Sequence, residues 1–423
     1  MNWQTFYRQT LRDIVLWLPL AAVIGLCAGL TSALLLVSLD WATATRVANP
    51  ILLVFLPFAG LLVGWVYYEW GREIESGNNL LIDEIHQPRA VTQLRMMPLI
   101  FIGTVFSHLF GASVGREGTA VQMSGALADQ LALITKRKVQ DRRVILMAAM
   151  SAGFAGVFGT PLAGAVFGLE VQALGKMRNN ALFPCLIASL VSDWLVRSLG
   201  VHHTHYVIPS IPAVTIMGLL AVLFAGALFG LAGKSFAELT HWVAKHFKRI
   251  KYPPLRPFVG GVCVASLVLI FGAERYIGLG IPSIVESFNQ PIPFWDAPLK
   301  LFFTTLSLGA GFKGGEVTPL FYIGATMGNA LAPLLNMPFP LLAGLGFVAV
   351  FAGAANTPLT CTLMAIELFG AAIGPYALLA CVVAFLFSGH SSIYVAQRWG
   401  SGKGRPITDD KAGVRLSDLT DSK

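Results

Sequence analysis

Long apolar runs dominate the chain, separated by short polar breaks. They fall at residues 14–39, 51–68, 97–112, 144–169, 181–196, 212–232, 257–272, 299–311, 319–335, 339–369 and 371–388. A helix needs about 20 apolar residues to cross the hydrocarbon of a bilayer. Several runs are shorter, which suits broken or re-entrant helices whose ends are buried in protein. The pattern predicts an all-α polytopic membrane protein. The first run has no small-residue cleavage site and leads into a second span, so no removable signal is expected.

The pattern also repeats. GREGTAVQMSGA at 115–126 returns as GGEVTPLFYIGA at 314–325, with Gly, Glu, Thr, Gly and Ala in register at a shift of 199. FAGVFGTPL at 154–162 returns as FAGAANTPL at 351–359, a shift of 197. Each TPL copy has a Glu ten residues past its Thr: Glu170 after Thr160, Glu367 after Thr357. Two motifs in one order at nearly one offset predict an internal duplication, as in many transporters.

The polar breaks give its sense. KRKVQDRR at 136–143 holds five basic residues and one acid, while the matching stretch LAPLLNMPFPLL, 331–342, is uncharged. Basic residues concentrate in cytoplasmic loops. The asymmetry predicts that the second copy is inverted, which brings two motif helices in from opposite faces with their N-termini meeting near the midplane. KHFKRIKYPPLR, 245–256, is a second basic, cytoplasmic loop. The organisation expected is a cytoplasmic N-terminal segment 1–12, a first membrane repeat 13–205, a second repeat 206–398 and a short cytoplasmic tail 399–423 with no regulatory domain. The tail past 400 is polar and reads as disordered.

Composition narrows the class. Mean hydropathy is +0.68 and only 12% of residues are charged. Soluble chains carry about 25%. The net charge of +8 sits in loops, so it is no nucleic-acid signal. The five cysteines all lie in apolar runs and read as small buried hydrophobes rather than a disulfide framework. HHTH at 202–205 reads as solvated, with no Cys or carboxylate nearby in sequence to complete a metal site. No metal, cofactor or nucleotide loop is expected, and nothing points to an enzyme.

The candidate chemistry is GREGT, 115–119. An Arg and a Glu at membrane depth are a functional site by default. Glu117 stands at the start of a helix, where unpaired N–H groups and the positive dipole end favour an anion. GREG ahead of a helix, the paired TPL segments and the inverted duplication resemble the CLC family of anion channels and proton-coupled antiporters, over residues 14–398. Three departures resemble its fluoride/proton antiporter clade. Thr119 stands where the chloride-type motif has Pro. Gly77, Asn78 and Asn79 replace the GSGIP loop, and GGEVTP replaces the GIFAP-like motif. A GLGIP sequence at 278–282 mimics the chloride loop, but its place in the second repeat argues against it as the anion loop.

The resemblance implies roles residue by residue. Glu117 matches the gating and proton-coupling glutamate. Gly115, Arg116 and Gly118 of the same motif, Asn78 and Asn79, Val317 and Thr318 match the anion path. Glu316 is the clade's characteristic acid on a proton or anion pathway, and Tyr394 matches the tyrosine that closes the pathway inward. The internal proton glutamate of chloride antiporters is absent: Val171 stands there. Plainer readings stand beside these: a turn residue for Asn78, a helix cap for Thr318, a structural acid for Glu316, a belt residue for Tyr394 and an Arg116–Glu117 pair. The last is disfavoured because neighbours on a helix point apart. Glu170 and Glu367 are expected to bond helices together.

Fluoride is small and strongly hydrated, so its site must replace water with hydrogen-bond donors yet let the ion escape. The function implied is fluoride/proton antiport exporting fluoride, with chloride-type antiport or a passive anion channel as alternatives. The expected partners are fluoride and protons, the lipid bilayer and a second copy in a homodimer. The expected location is the bacterial inner (plasma) membrane, multi-pass, both termini cytoplasmic.

Overall fold

A computed structural model describes residues 3–403 and 412–420. The remaining residues of the tail expected to be disordered, 404–411 and 421–423, lie outside the described ones. The first half holds α1 (Trp3–Ala48), α2 (Leu56–Trp70), α3 (Asn78–His86), α4 (Met96–Phe110), α5 (Glu117–Ile134), α6 (Val139–Phe158), α7 (Pro161–Glu170) and α8 (Leu182–Ser198). The second holds α9 (Ile216–Phe247), α10 (Leu255–Phe271), α11 (Ile281–Asn289), α12 (Asp296–Ala310), α13 (Val317–Leu335), α14 (Phe339–Ala355), α15 (Pro358–Phe369) and α16 (Gly374–Phe387). Among the described residues, four helical stretches are long and apolar enough to cross a bilayer: Ile14–Ala48, Pro50–Trp70, Asn179–Ser198 and Ile216–Phe247. The other apolar helices are shorter, as the run lengths predicted.

Two of the apolar runs fold as helix pairs. The run 144–169 breaks at Gly159, whose φ is +71°, and the run 339–369 breaks at Asn356, φ +59°. Both residues close their helices in the left-handed conformation. Pro161 and Pro358 then start α7 and α15 at the first helical position, where a missing N–H costs nothing. α1 begins at Trp3 and runs without a break into the first span.

The two halves match element by element, but not at the shift read from the letters. α4, α5 and α6 start exactly 200 residues before α12, α13 and α14. The left-handed residues Lys136 (φ +50°) and Asn336 (φ +51°) keep that offset. The identities align at 199, so the motif's Glu117 and Glu316 are one position apart in the fold. Glu117 is the first residue of α5, whereas Glu316 precedes α13.

The halves are inverted. Gly115 and Gly315 pair antiparallel, N–H to carbonyl in both directions at 2.6 and 2.8 Å. The N-termini of α5 and α13 therefore face each other. The TPL helices lock in the same sense. Glu170, ending α7, accepts from the Leu359 and Thr360 N–H groups of α15 at 3.0 and 2.8 Å and from the Thr360 hydroxyl at 2.7 Å. Glu367 of α15 returns the bond, accepting from Leu162 and Ala163 of α7 at 2.8 Å each. Thr160 and Thr357 stand at the cap positions without capping, because a glutamate from the other half does it.

Small residues allow close crossings. A Cβ on Gly324 of α13 would lie 1.9 Å from the Gly346 carbonyl of α14. Three cysteines are buried, but Cys263 is exposed and Cys27 half-buried, which corrects the reading of all five as buried. The HHTH reading holds for His202 and His205, which are exposed, and is corrected at His203, whose side chain is only 9% exposed. Part of the tail is ordered too. Trp399 pairs with Val414 and Gly413, and α17 (Leu416–Thr420) follows, with the buried Leu416 donating to the Gln397 carbonyl at 2.9 Å.

Candidate functional site

Three helix N-termini converge at the centre, those of α3, α5 and α13. The Glu117 side chain is 1% exposed and reaches across to α13. Its carboxylate accepts the Thr318 N–H at 3.1 Å, the Thr318 hydroxyl, and the Arg116 N–H at 3.1 Å. A carboxylate thus fills the anion position that a helix N-terminus offers. Arg116 Nε stands 3.8 Å from Glu117 Oε1, so the neighbours do not point apart: Arg116 caps α5 rather than lying within it.

Glycine is required here by contact. A Cβ on Gly115 would lie 2.8 Å from both Glu117 Oε2 and the Gly315 carbonyl, and one on Gly118 would lie 2.9 Å from Asn78 Nδ2. Asn78 begins α3, is buried, and has no partner for its Oδ1. Asn79 turns elsewhere, its Oδ1 accepting the Ala396 N–H at 3.0 Å. Val317 is buried at the start of α13, next to Thr318.

Two spaces meet at this point. On one side a cavity of about 730 Å³ is lined by Asn78, Asn79, Glu316 and Tyr394 and, farther out, by Lys245, Lys248 and Arg256 of the basic loop. On the other side a cleft of about 30 Å³ is lined by Arg116, Thr318, His203 and Ile281. The structure therefore brings the predicted residues together. Asn78, Asn79, Glu316 and Tyr394 share the wide side, Arg116 and Thr318 reach the narrow side, and Glu117 lies bonded to Thr318 between them. The groups at hand are hydroxyl, amide and backbone donors plus the Glu117 carboxylate that now occupies some of them. They suit a small anion that competes with a carboxylate.

A model of the family described as voltage gated chloride channel matches residues 59–389. The chain belongs to that family. The voltage-gated chloride channel relatives include a "Chloride/fluoride channel protein" of Pseudomonas syringae pv. tomato, 57% identical over 96% of this chain and 91% of that one. Among solved structures, a CLC-type fluoride/proton antiporter superposes with a TM-score of 0.89 at 34% identity, covering 92% of this chain and 99% of that one. A slow cyanobacterial Cl⁻/H⁺ antiporter superposes at 0.77 with 20% identity, covering 88% of this chain and 94% of that one; it supports the fold alone. Like these relatives, the chain is a multi-pass membrane protein of CLC architecture.

Sequence reasoning missed three residues. Lys313 lines the wide cavity and lies 3.9 Å over the Tyr67 ring. Lys300 is fully buried and donates to the Tyr276 and Gly278 carbonyls at 3.1 and 2.7 Å, holding the GLGIP loop. Each is a lone charge in an apolar stretch, the signal that singled out Glu117. His203 gave no such signal, because a connection buried over the site reads like any polar loop. The GLGIP loop opens α11, which occupies in the second half the place of α3 in the first; Ile281 meets the narrow cleft, so the loop stands across the site from Asn78.

Proposed function

We propose that this protein is a fluoride/proton antiporter that exports fluoride, with Glu117 as gate and proton carrier. The observation that carries this is the Glu117 carboxylate bonded into the α13 N-terminus. Deprotonated, it fills the donors an anion needs; protonated, it loses its charge and its claim on them, so proton and anion alternate at one place. Asn78 and Thr318 add an amide and a hydroxyl suited to a strongly hydrated ion. Glu316 and Tyr394 at the wide cavity serve the inner route, and Val317 and the glycines Gly115 and Gly118 shape the site. The likeness to a CLC-type fluoride/proton antiporter at 34% identity supports the choice of fluoride over chloride.

The wide cavity opens beside the basic loop 245–256, and positive loops mark the cytoplasmic side. We therefore orient Asn78 inward and Arg116 outward, place both termini in the cytoplasm and the protein in the bacterial inner membrane, and take 13–205 and 206–398 as its two repeats. A homodimer with one pathway per subunit follows from the family resemblance and is checked by the molar mass of the detergent-solubilised protein.

The test is ion efflux from liposomes holding the purified protein. Fluoride leaving in preference to chloride, with protons moving the opposite way, is the expected result. Glu117→Gln removes the titrating group and is expected to abolish proton movement while the protein still binds fluoride. Chloride leaving as fast as fluoride overturns the substrate; fluoride leaving without protons makes the protein a channel and Glu117 a gate only.

A further inference from the structure

The narrow cleft on the outer side is lined by two buried side chains, His203 and Arg116, with nitrogens that make no well-formed hydrogen bond. His203 comes from the connection 199–215, outside the spanning helices, and its side chain is 9% exposed. Neither ring nitrogen has a partner at hydrogen-bonding geometry. The Val157 carbonyl is nearby, and Asp193 Oδ1 is 3.9 Å from Nε2. Arg116 Nε is likewise buried without a hydrogen bond. Both residues line the same space with Thr318, whose hydroxyl and N–H hold Glu117. Buried polar atoms without partners call for an occupant.

The occupant's size and charge follow from the walls. The cleft is about 30 Å³. One water needs roughly 10–15 Å³ of such space, so a single small ion with little hydration fits. The facing charges are accounted for. Asp193 is held by Arg197, whose Nε donates to both carboxylate oxygens at 2.9 Å, so the charges that face the cleft are Arg116 and, 3.8 Å from its Nε, Glu117. Burial, then the Arg116 and Arg197 guanidiniums, pull the His203 pKa down to about 4, so the imidazole is neutral at pH 7 and offers one N–H. A cation would meet Arg116 and that donor; an anion would meet both favourably. The Glu117 charge next door opposes an anion, so the cleft fills when Glu117 is protonated.

We propose that Arg116 and His203 form an outer waiting site for fluoride, separate from the position Glu117 occupies at α13. The site rests on the antiporter reading above. A departing ion enters while Glu117 is protonated; the charged Glu117 returning to Thr318 then closes the way back and drives the ion outward. His203 is its specificity-determining donor, supplied by the connection between the repeats rather than by either motif helix.

The experiment measures fluoride entry into right-side-out vesicles from an expression host, against vesicles lacking the protein, with external pH recorded. His203→Phe keeps the ring and removes the donors. It is expected to raise the half-saturating external fluoride about three- to tenfold, the worth of one net hydrogen bond, with the proton-to-fluoride ratio unchanged. His203→Gln, which keeps an N–H donor, is expected to stay within about twofold of wild type. His203→Ala carries the test if the Phe variant does not insert. Unchanged half-saturation in the donorless variants, or an equal shift with Gln, overturns the waiting site while wild-type coupling leaves the antiporter reading intact. Wild-type vesicles that move fluoride without protons overturn the antiporter reading itself.

Discussion

The two repeats solve one structural problem with different chemistry. In the first, Asp129 of α5 accepts the Thr92 N–H at 2.6 Å. In the second, 200 positions on, Asn329 of α13 accepts the Ile292 N–H at 3.1 Å. The backbone contact is the same. Around it the first repeat builds a charged lock. Arg142 grips Asp129 with Nε and Nη2 at 2.6 and 2.8 Å and donates to Glu84 at 2.9 Å, joining α3, α5 and α6. The second repeat has Leu342, fully buried, at the place of Arg142, and Asn329 donates instead to the Ser287 and Gln290 carbonyls at 2.7 and 2.9 Å. The backbone fold needs an acceptor at this point; it does not need a charge. The charge follows the side of the membrane, since the lock lies by the basic stretch 136–143 and its neutral counterpart on the opposite face.

The strongest way to break the comparison is Arg142→Leu. It leaves Asp129 and Glu84 buried without their cation, which costs about 3–5 kcal/mol for a broken buried pair. Thermal unfolding of the detergent-solubilised protein reads it as a large drop in midpoint. Making the whole lock neutral, with Glu84→Gln, Asp129→Asn and Arg142→Leu together, copies the second repeat's solution. It is expected to recover stability to within about 1–2 kcal/mol of wild type, because well-packed neutral replacements of buried ion groups are often neutral. A triple variant as unstable as the single one would show that α3, which carries Asn78, depends on charge for its place.

A smaller effect separates the crossed caps. Glu170 is buried and accepts three hydrogen bonds; Glu367 is only half-buried and accepts two. Glu170→Ala is expected to cost about 2–3 kcal/mol and Glu367→Ala about 1 kcal/mol, in keeping with lost caps and unpaired buried N–H groups. Equal losses would mean that burial does not set the value of these caps. A double variant that adds the two losses would show that the caps act independently, as their separate helix ends suggest.

These differences mark what was legible in the sequence. The inversion could be read from KRKVQDRR against an uncharged counterpart, because the positive side of a membrane leaves its trace in loops. Glu117 could be read from the cost of charge at membrane depth. The true offset of the repeats could not. Identities at 115 and 314 pull the register to 199, while the paired glycines 115 and 315 and the helix starts keep 200. Letters record the motif; the backbone pairing records the fold. Glu170 and Glu367 could be read as bonds between helices, but their crossed partners, and the burial of His203 on the connection between repeats, are contacts between segments distant in the chain. Asn78 and Asn79 are the finest case. Adjacent and chemically identical, they point apart, one to Gly118 and the other to the last segment of the chain.

That last pair gives the smallest effect and the sharpest distinction. Asn79 holds Ala396 through one hydrogen bond of 3.0 Å, and Tyr394, two residues before it, lines the wide cavity. Asn79→Ala removes a contact worth about 0.5–1.5 kcal/mol. It frees the Tyr394 segment without touching the groups around Glu117. Fluoride turnover is expected to change by about two- to fivefold, with anion selectivity and proton coupling as in wild type. Asn78→Ala removes an amide beside Gly118 and is expected to shift the fluoride-to-chloride ratio instead. Flux measured with each ion in the same liposomes separates them: a selectivity change from Asn79 and none from Asn78 would reverse the roles that their contacts assign.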